Sequence, residues 1–146
     1  MIAFLVAAAF AAIALIHVYW AFGGSFGGEA AVPRAPATAG ADRQTARAPA
    51  FVPTRSATLL VAAALTGVTL LVALQAGWFG PALPNGTVRA AIGVVAAVMF
   101  LRAVGDFRLV GFFKRRTDSR FARLDTWFYS PLCVVLGAGL AAVALG

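Results

Sequence analysis

The chain has 146 residues, 62% of them hydrophobic and only 12% charged, with a formal charge of +7 and a mean hydropathy of +0.89. A soluble domain would carry about a quarter charged residues, so this composition excludes an ordinary soluble enzyme and predicts one integral membrane domain over residues 1–146. The single cysteine, Cys133, excludes an intrachain disulfide and a multi-cysteine metal site.

The first apolar segment, residues 2–22, contains one ionisable group, His17. At about 1.5 Å per residue, a helix of this length crosses the ~30 Å hydrocarbon core. A cleaved signal peptide is the alternative, but no basic region precedes the apolar run, which favours a retained helix. Near the end of the segment Tyr19, Trp20 and Phe22 are typical of an aromatic belt at the membrane interface.

Residues 25–55 are rich in Gly, Pro, Ala and Arg and show neither helical nor strand periodicity. We predict a long, irregular and mobile loop here. Residues 57–79 follow without an ionisable group and predict the second membrane-spanning helix.

The third predicted helix, residues 89–107, must carry Arg102 and Asp106, because the apolar run alone is too short to cross. Their spacing of four residues predicts an ion pair at the end of this helix. The fourth predicted helix, residues 126–145, has Asp125 as its expected N-cap and a kink at Pro131.

Four spans place the two large loops on one side of the membrane and both termini on the other. Ten of the twelve basic residues lie in these two loops, and the short turn on the opposite side carries only Arg89. Since cytoplasmic loops are enriched in Lys and Arg, we predict that both loops are cytoplasmic and both termini face outward. The positive net charge is therefore explained by membrane orientation and by contact with anionic lipid, so we expect no nucleic-acid partner.

The motifs HVYWAFGG, FLRAVGDFRLVGFFKR and TDSRFARLDTWFYSPLC resemble the domain-of-unknown-function family numbered 3995, which comprises small bacterial four-helix membrane proteins. The resemblance implies an architecture and a membrane location, and it carries over no activity and no catalytic residue. The long linker from Ser25 to Ala50 departs from the shorter loop that the family leads us to expect. The family's recurring motif residues correspond here to His17, Trp20, Arg102, Asp106, Phe121, Asp125, Tyr129, Ser130 and Pro131.

The predicted topology gathers the unusual polar residues near the cytoplasmic boundary, where we place a candidate polar cluster. Its members are His17, Trp20, Arg102, Asp106, Asp125 and Tyr129. For His17 we favour a hydrogen bond that ties helices together, with a haem ligand and a proton relay as the alternatives. No known metal-ligand spacing is present, so we predict neither a metal site nor a catalytic residue, and the cofactor stays undefined.

Three functions are compatible with these features. The leading hypothesis is a non-enzymatic bundle in the cell (cytoplasmic) membrane that contacts lipid, a second copy of itself or another membrane protein. In this hypothesis Lys114, Arg115 and Arg116 contact anionic headgroups. The alternatives are a haem-, quinone- or small-ligand-binding protein that uses His17, Asp106, Asp125 and Tyr129, and a small ion or proton transporter.

Overall fold

A computed structural model of the chain describes residues 1–33, 49, 51–80, 86–115 and 119–146. Most of the predicted first loop, and Arg116 among the expected lipid contacts, therefore lie outside the described residues. The described part is all-α. Its helices are α1 (Ile2–Ala21), α2 (Gly28–Ala31), α3 (Arg55–Gln75), α4 (Gly86–Val104), α5 (Arg120–Leu124), a π-helical turn (Asp125–Tyr129) and α6 (Ser130–Leu145).

Four helices in the described residues are long and apolar enough to cross a membrane, which confirms this part of the predicted fold. Three of them are α1, α3 and α4, and the fourth is the continuous run of α5, the π turn and α6. Large apolar side chains point outward on these helices, and Leu15, Leu60 and Val94 are 70%, 71% and 64% exposed. Helices that are apolar on their outer faces as well as their inner ones are typical of membrane spans.

The helices are antiparallel to their main neighbours. α1 packs chiefly against α3, and α4 chiefly against α6. The ring of Phe4 at the start of α1 contacts that of Trp78 just after α3, with 6.2 Å between centroids. At the same end of the bundle, the Arg89 guanidinium on α4 donates to the carbonyls of Ala144 and Leu145 at the end of α6, at 2.7 and 3.1 Å.

The buried core lies nearer this end than the polar one. It contains Val6 and Phe10 of α1, Val72 of α3, Ile92 and Ala96 of α4, and Leu136 and Leu140 of α6. The end of α1, the start of α3, the end of α4 and the start of the last helical run meet at the other end. The candidate polar residues all belong to these four segments or to the loops beside them.

Candidate functional site

The last helical run changes its winding where its polar residues lie. Ser119 caps α5, because its Oγ accepts a backbone N–H at 3.0 Å. The chain then widens into the π turn, in which the Ser130 N–H donates to the Asp125 carbonyl. Pro131 follows and has no N–H to donate, so an ordinary α-helix would lose a bond here. The helix widens instead of ending, and single π turns of this kind are frequent at functional sites.

Asp125 is not the N-cap of the last helical run, contrary to expectation, because Ser119 caps the run six residues earlier. Its carboxylate points into the bundle, is completely buried and accepts three hydrogen bonds. Arg102 Nη2 donates to Oδ1 at 2.7 Å, while Oδ2 accepts from Lys114 Nζ at 3.1 Å and from the Gly111 N–H at 2.6 Å. One carboxylate thus joins α4, the loop after it and the π turn.

Lys114 does not face the lipid headgroups as expected, because its ammonium lies in the protein interior. Its side chain is 1% exposed. Besides Asp125, Nζ donates to the Gly111 carbonyl at 3.0 Å and to Thr126 Oγ1. Three N–H donors therefore meet three acceptors, which satisfies a buried ammonium completely. Arg115 next to it is exposed.

We call Arg102, Lys114 and Asp125 the ion triad. Two cations face one carboxylate, so the triad carries one excess positive charge when all three groups are ionised. Lys114 and Asp125 are buried, whereas the Arg102 side chain is 31% exposed and partly screened by solvent. Within the described residues, Arg102 Nη1 and the Ser130 Oγ are buried and have no hydrogen-bond partner.

The loop after α4 folds back onto the helix that precedes it. Gly105 and Gly111 both have positive φ values, +91° and +87°, and lie in direct backbone contact. A Cβ on Gly111 would lie 2.4 Å from the Gly105 Cα, so no side chain fits at this crossing. The crossing allows the Phe112 N–H to donate to the Ala103 carbonyl at 2.8 Å. It also brings the Gly111 N–H to Asp125.

Asp106 organises this loop and does not pair with Arg102 as expected. α4 ends at Val104 and Gly105 turns the chain, so the two side chains are no longer one helical turn apart. Asp106 Oδ1 instead accepts the N–H groups of Arg108, Leu109 and Val110 at 2.9, 2.7 and 3.0 Å. Desolvation raises the pKa of Asp106, but the backbone hydrogen bonds to its carboxylate together outweigh this effect and bring the pKa below its ordinary value.

Tyr129 ties the segment after α1 to the π turn. Its hydroxyl donates to the Ala30 carbonyl of α2 at 3.2 Å. Its ring packs edge-on against Phe128 and lies 6.1 Å from the ring of Phe121. Tyr129 therefore belongs to the same end of the bundle as the ion triad, but it contacts different residues.

His17 and Trp20 form a separate part of this end. His17 Nδ1 bonds the Ile13 carbonyl one turn earlier in α1 at 2.8 Å, and its ring meets Trp20 edge-on with 5.1 Å between centroids. Trp20 Nε1 donates to the Phe26 carbonyl at 2.8 Å. The expected bond from His17 to a neighbouring helix is replaced by a bond within its own helix. Both side chains line a cavity of about 690 Å³ beside the start of α3.

The groups at this end of the bundle take part in ion pairs, hydrogen bonds and ring contacts. Among the described residues, no three His, Cys, Asp or Glu side chains lie close enough together to hold a metal ion. The ion triad is occupied by internal contacts, and its carboxylate is sealed from solvent. The exposed arginines and the residues that line the cavity beside His17 are accessible to a binding partner.

The sequence reasoning missed Lys114, Gly105, Gly111 and Ser130 as parts of the site. One signal was present for Lys114, since it is the only lysine in a chain with eleven arginines. A compact ammonium with three donors suits a buried site that the planar guanidinium of arginine does not fit. Gly105 and Gly111 lie on either side of Asp106 in the sequence. Their contact could not be predicted, because it depends on the conformation of the loop between them.

The fold and the site define a small all-α protein with four helices suited to crossing a membrane and a buried ion triad at one end. A family model described as "Protein of unknown function (DUF3995)" matches residues 10–140, and the chain belongs to this family. The resemblance that the motifs indicated is therefore confirmed. No curated protein and no solved structure matched the chain in the corresponding comparisons.

Proposed function

We propose that this protein is a non-enzymatic, multi-pass protein of the cytoplasmic membrane that binds anionic lipid at its cytoplasmic end. The observation that carries this proposal is a loop held from inside by the ion triad, with exposed basic and aromatic side chains on the loop and on the helical run that follows it. We name the outer part the basic–aromatic surface. Its members are Arg108, Phe113, Arg115, Arg120, Arg123 and Trp127, all of them exposed.

The composition of the basic–aromatic surface supports contact with the interface of a bilayer. Trp127 is 83% exposed and Phe113 63%, and aromatic rings are enriched at the headgroup level of membranes. The Phe107 and Phe113 rings lie 6.2 Å apart on the loop. Arginines beside such rings attract anionic headgroups, and each basic residue near the surface contributes about 1 kcal/mol.

The ion triad supports the proposal because it fixes the loop. The Lys114 ammonium and the Asp125 carboxylate are buried, so the backbone between Gly111 and Lys114 is held to the π turn. A fixed backbone presents Phe113 and Arg115 without a large loss of conformational entropy on binding. The orientation, with basic loops inside and both termini outside, follows from the distribution of Lys and Arg.

Lipid retention tests the proposal. We would reconstitute the protein in bilayers of equal parts phosphatidylglycerol and phosphatidylcholine, extract it, and measure the retained lipids by native mass spectrometry. Changing Arg108, Arg115, Arg120 and Arg123 to Gln together should abolish the preference for phosphatidylglycerol. At about 1 kcal/mol for each residue, a single Arg115→Gln change should reduce the preference about fivefold.

Arg89→Gln is the matched control, because Arg89 lies at the opposite end of the bundle. It should leave the lipid preference unchanged. Equal retention of both lipids by the unaltered protein, or an equal loss of preference in the control, would contradict the proposal. Reporter fusions test the orientation separately, since an outward C-terminus should make alkaline phosphatase active and green fluorescent protein dark.

A further inference from the structure

The cavity beside His17 lies between the end of α1, the short helix α2 and the start of α3. Its volume of about 690 Å³ falls within the range of small-molecule pockets, about 300–1,000 Å³. Most of its lining is apolar. Representative lining residues are Ala31, Val32, Phe51, Pro53, Ala57 and Val61. None of the described residues that line it belongs to the ion triad or to the basic–aromatic surface.

His17 lines this cavity and carries a hydrogen-bond acceptor in its neutral form. Its Nδ1 faces the Ile13 carbonyl at 2.8 Å, and a carbonyl oxygen only accepts hydrogen bonds, so Nδ1 carries the proton. In the neutral imidazole, Nε2 then carries a lone pair on the side of the ring away from the backbone of α1. Among the described residues, none donates a hydrogen bond to Nε2. The edge of Trp20 against the imidazole holds the ring in this orientation.

Among the described residues that line the cavity, the other polar side chains already have hydrogen-bond partners. Trp20 Nε1 donates to the Phe26 carbonyl, and the Thr58 hydroxyl donates to the Thr54 carbonyl at 3.0 Å. Thr54 Oγ1 accepts the Ala57 N–H at 3.2 Å and shares a second hydrogen bond with Ser56 Oγ at 3.2 Å. The cavity therefore offers an acceptor to a ligand more readily than a donor. This arrangement favours a neutral ligand that brings its own hydroxyl over a carboxylate or a phosphate.

We infer that the cavity binds a neutral amphiphile of the phenol class, whose hydroxyl donates to His17 Nε2 and whose apolar body lies against α1 and α3. Trp20, Phe51 and Pro53 provide flat surfaces for an aromatic ring, and Val32 and Val61 provide apolar surface for a tail. The site is distinct from the proposed lipid contact, because the two share no residue in the part of the chain that the structure describes.

Binding of a matched pair of probes tests the inference. 4-Decylphenol and 4-decylanisole have the same ring and tail, but only the phenol carries a donor. In phosphatidylcholine nanodiscs, after subtraction of partitioning into empty nanodiscs, the phenol should bind about tenfold more tightly than the anisole. The alcohol 1-decanol, which lacks the ring, should bind less tightly than the phenol. Equal affinity for phenol and anisole, or tighter binding of 1-decanol, would overturn the assignment.

Variants locate the binding. His17→Phe keeps a ring but removes the acceptor, so it should bind both aromatic probes equally. Val61→Phe places a larger side chain in the cavity lining and should weaken binding of both probes. Leu60→Phe, one residue away and outside the cavity lining, should bind like the unaltered protein. Circular dichroism should show native helix content in all three, and binding unchanged in Val61→Phe would refute the site.

Because the chain contains a single histidine, imidazole NMR gives a readout that does not depend on affinity. Nitrogen-15 labelling of histidine should show protonated Nδ1 and unprotonated Nε2 in the free protein. 4-Decylphenol should shift the Nε2 resonance, and 4-decylanisole should not. A proton on Nε2 of the neutral imidazole in the free protein would refute the inference. So would an Nε2 resonance that does not shift when 4-decylphenol binds. These results would leave the lipid preference measured with the arginine variants unaffected, so the two proposals fail separately.

Discussion

Asp125→Asn should be the most damaging single change within the ion triad. Asparagine keeps the size of the side chain but removes the only negative charge from a site that holds Arg102 and Lys114. Its amide nitrogen also places a hydrogen-bond donor beside the donors that now bond the Asp125 carboxylate. Removing one partner of a buried pair costs about 3–5 kcal/mol, because the remaining charge is left uncompensated. Here two cations would remain, of which Lys114 is 1% exposed.

Removing either cation should cost less, because a neutral pair remains. Lys114→Met leaves Arg102 and Asp125 paired, and its main cost is the loss of donors to the Gly111 carbonyl and Thr126, about 1–3 kcal/mol. Arg102→Gln leaves the buried Lys114–Asp125 pair. Because Arg102 is 31% exposed, solvent already screens part of its interaction.

Unfolding in mixed micelles titrated with dodecyl sulfate measures these differences, with helix content followed by circular dichroism. Asp125→Asn should lose about 3–5 kcal/mol. The double variant Asp125→Asn with Lys114→Met should lose less than the sum of the two single losses by more than about 1 kcal/mol, because it no longer holds two buried cations. Arg115→Gln, an exposed neighbour, is the control and should be neutral. Additive losses, or a loss in Lys114→Met equal to that in Asp125→Asn, would refute the reasoning.

Three further changes test the surroundings of the triad. Gly111→Ala should lower the midpoint of unfolding strongly, because its Cβ would lie 2.3 Å from the Val104 carbonyl oxygen, while Gly93→Ala, which meets open space, should be neutral or stabilising. Ser130→Ala should be neutral or stabilising in the same assay, since it removes a buried hydroxyl that has no partner among the described residues. The lowered pKa of Asp106 means that its contribution to stability is complete above the ordinary value of 3.8 and is lost as the pH falls through the folded-state pKa. Asp106→Ala should therefore be less stable than the unaltered protein at neutral pH, and the difference should shrink in acid; a difference that does not change with pH would contradict this.

The sequence was sufficient to predict the four apolar helices, because each is a long run with few ionisable groups. It also placed Arg102 and Asp125 at the same end of the bundle, which the antiparallel arrangement requires. The partner of Arg102 was not predictable from spacing alone. Four residues separate Arg102 from Asp106, but this relation holds only while the helix continues, and it ends before Gly105.

The inward direction of Lys114 was not predictable from its local sequence. Lys114, Arg115 and Arg116 form one basic run, and such a run normally indicates a solvated or headgroup-facing segment. Which member turns inward depends on the contact between Gly105 and Gly111, which are six residues apart and show no periodic signal. The same applies to the Asp125 carboxylate, whose direction depends on where the final helical run is capped.

The glycine crossing and the ion triad act as one unit, and this explains why so much charge lies close to an apolar bundle. The crossing directs the Gly111 N–H toward Asp125 and its carbonyl toward Lys114, so a single backbone residue contacts both ions. Without the crossing, the buried Lys114 ammonium would lose the Gly111 carbonyl as an acceptor. Without the ions, the loop beyond the crossing would be held to α4 by the Phe112 and Phe113 backbone bonds. If this coupling is correct, the losses in unfolding free energy caused by Gly111→Ala and Lys114→Met should be non-additive, since both changes weaken the contacts that hold the same loop to the π turn.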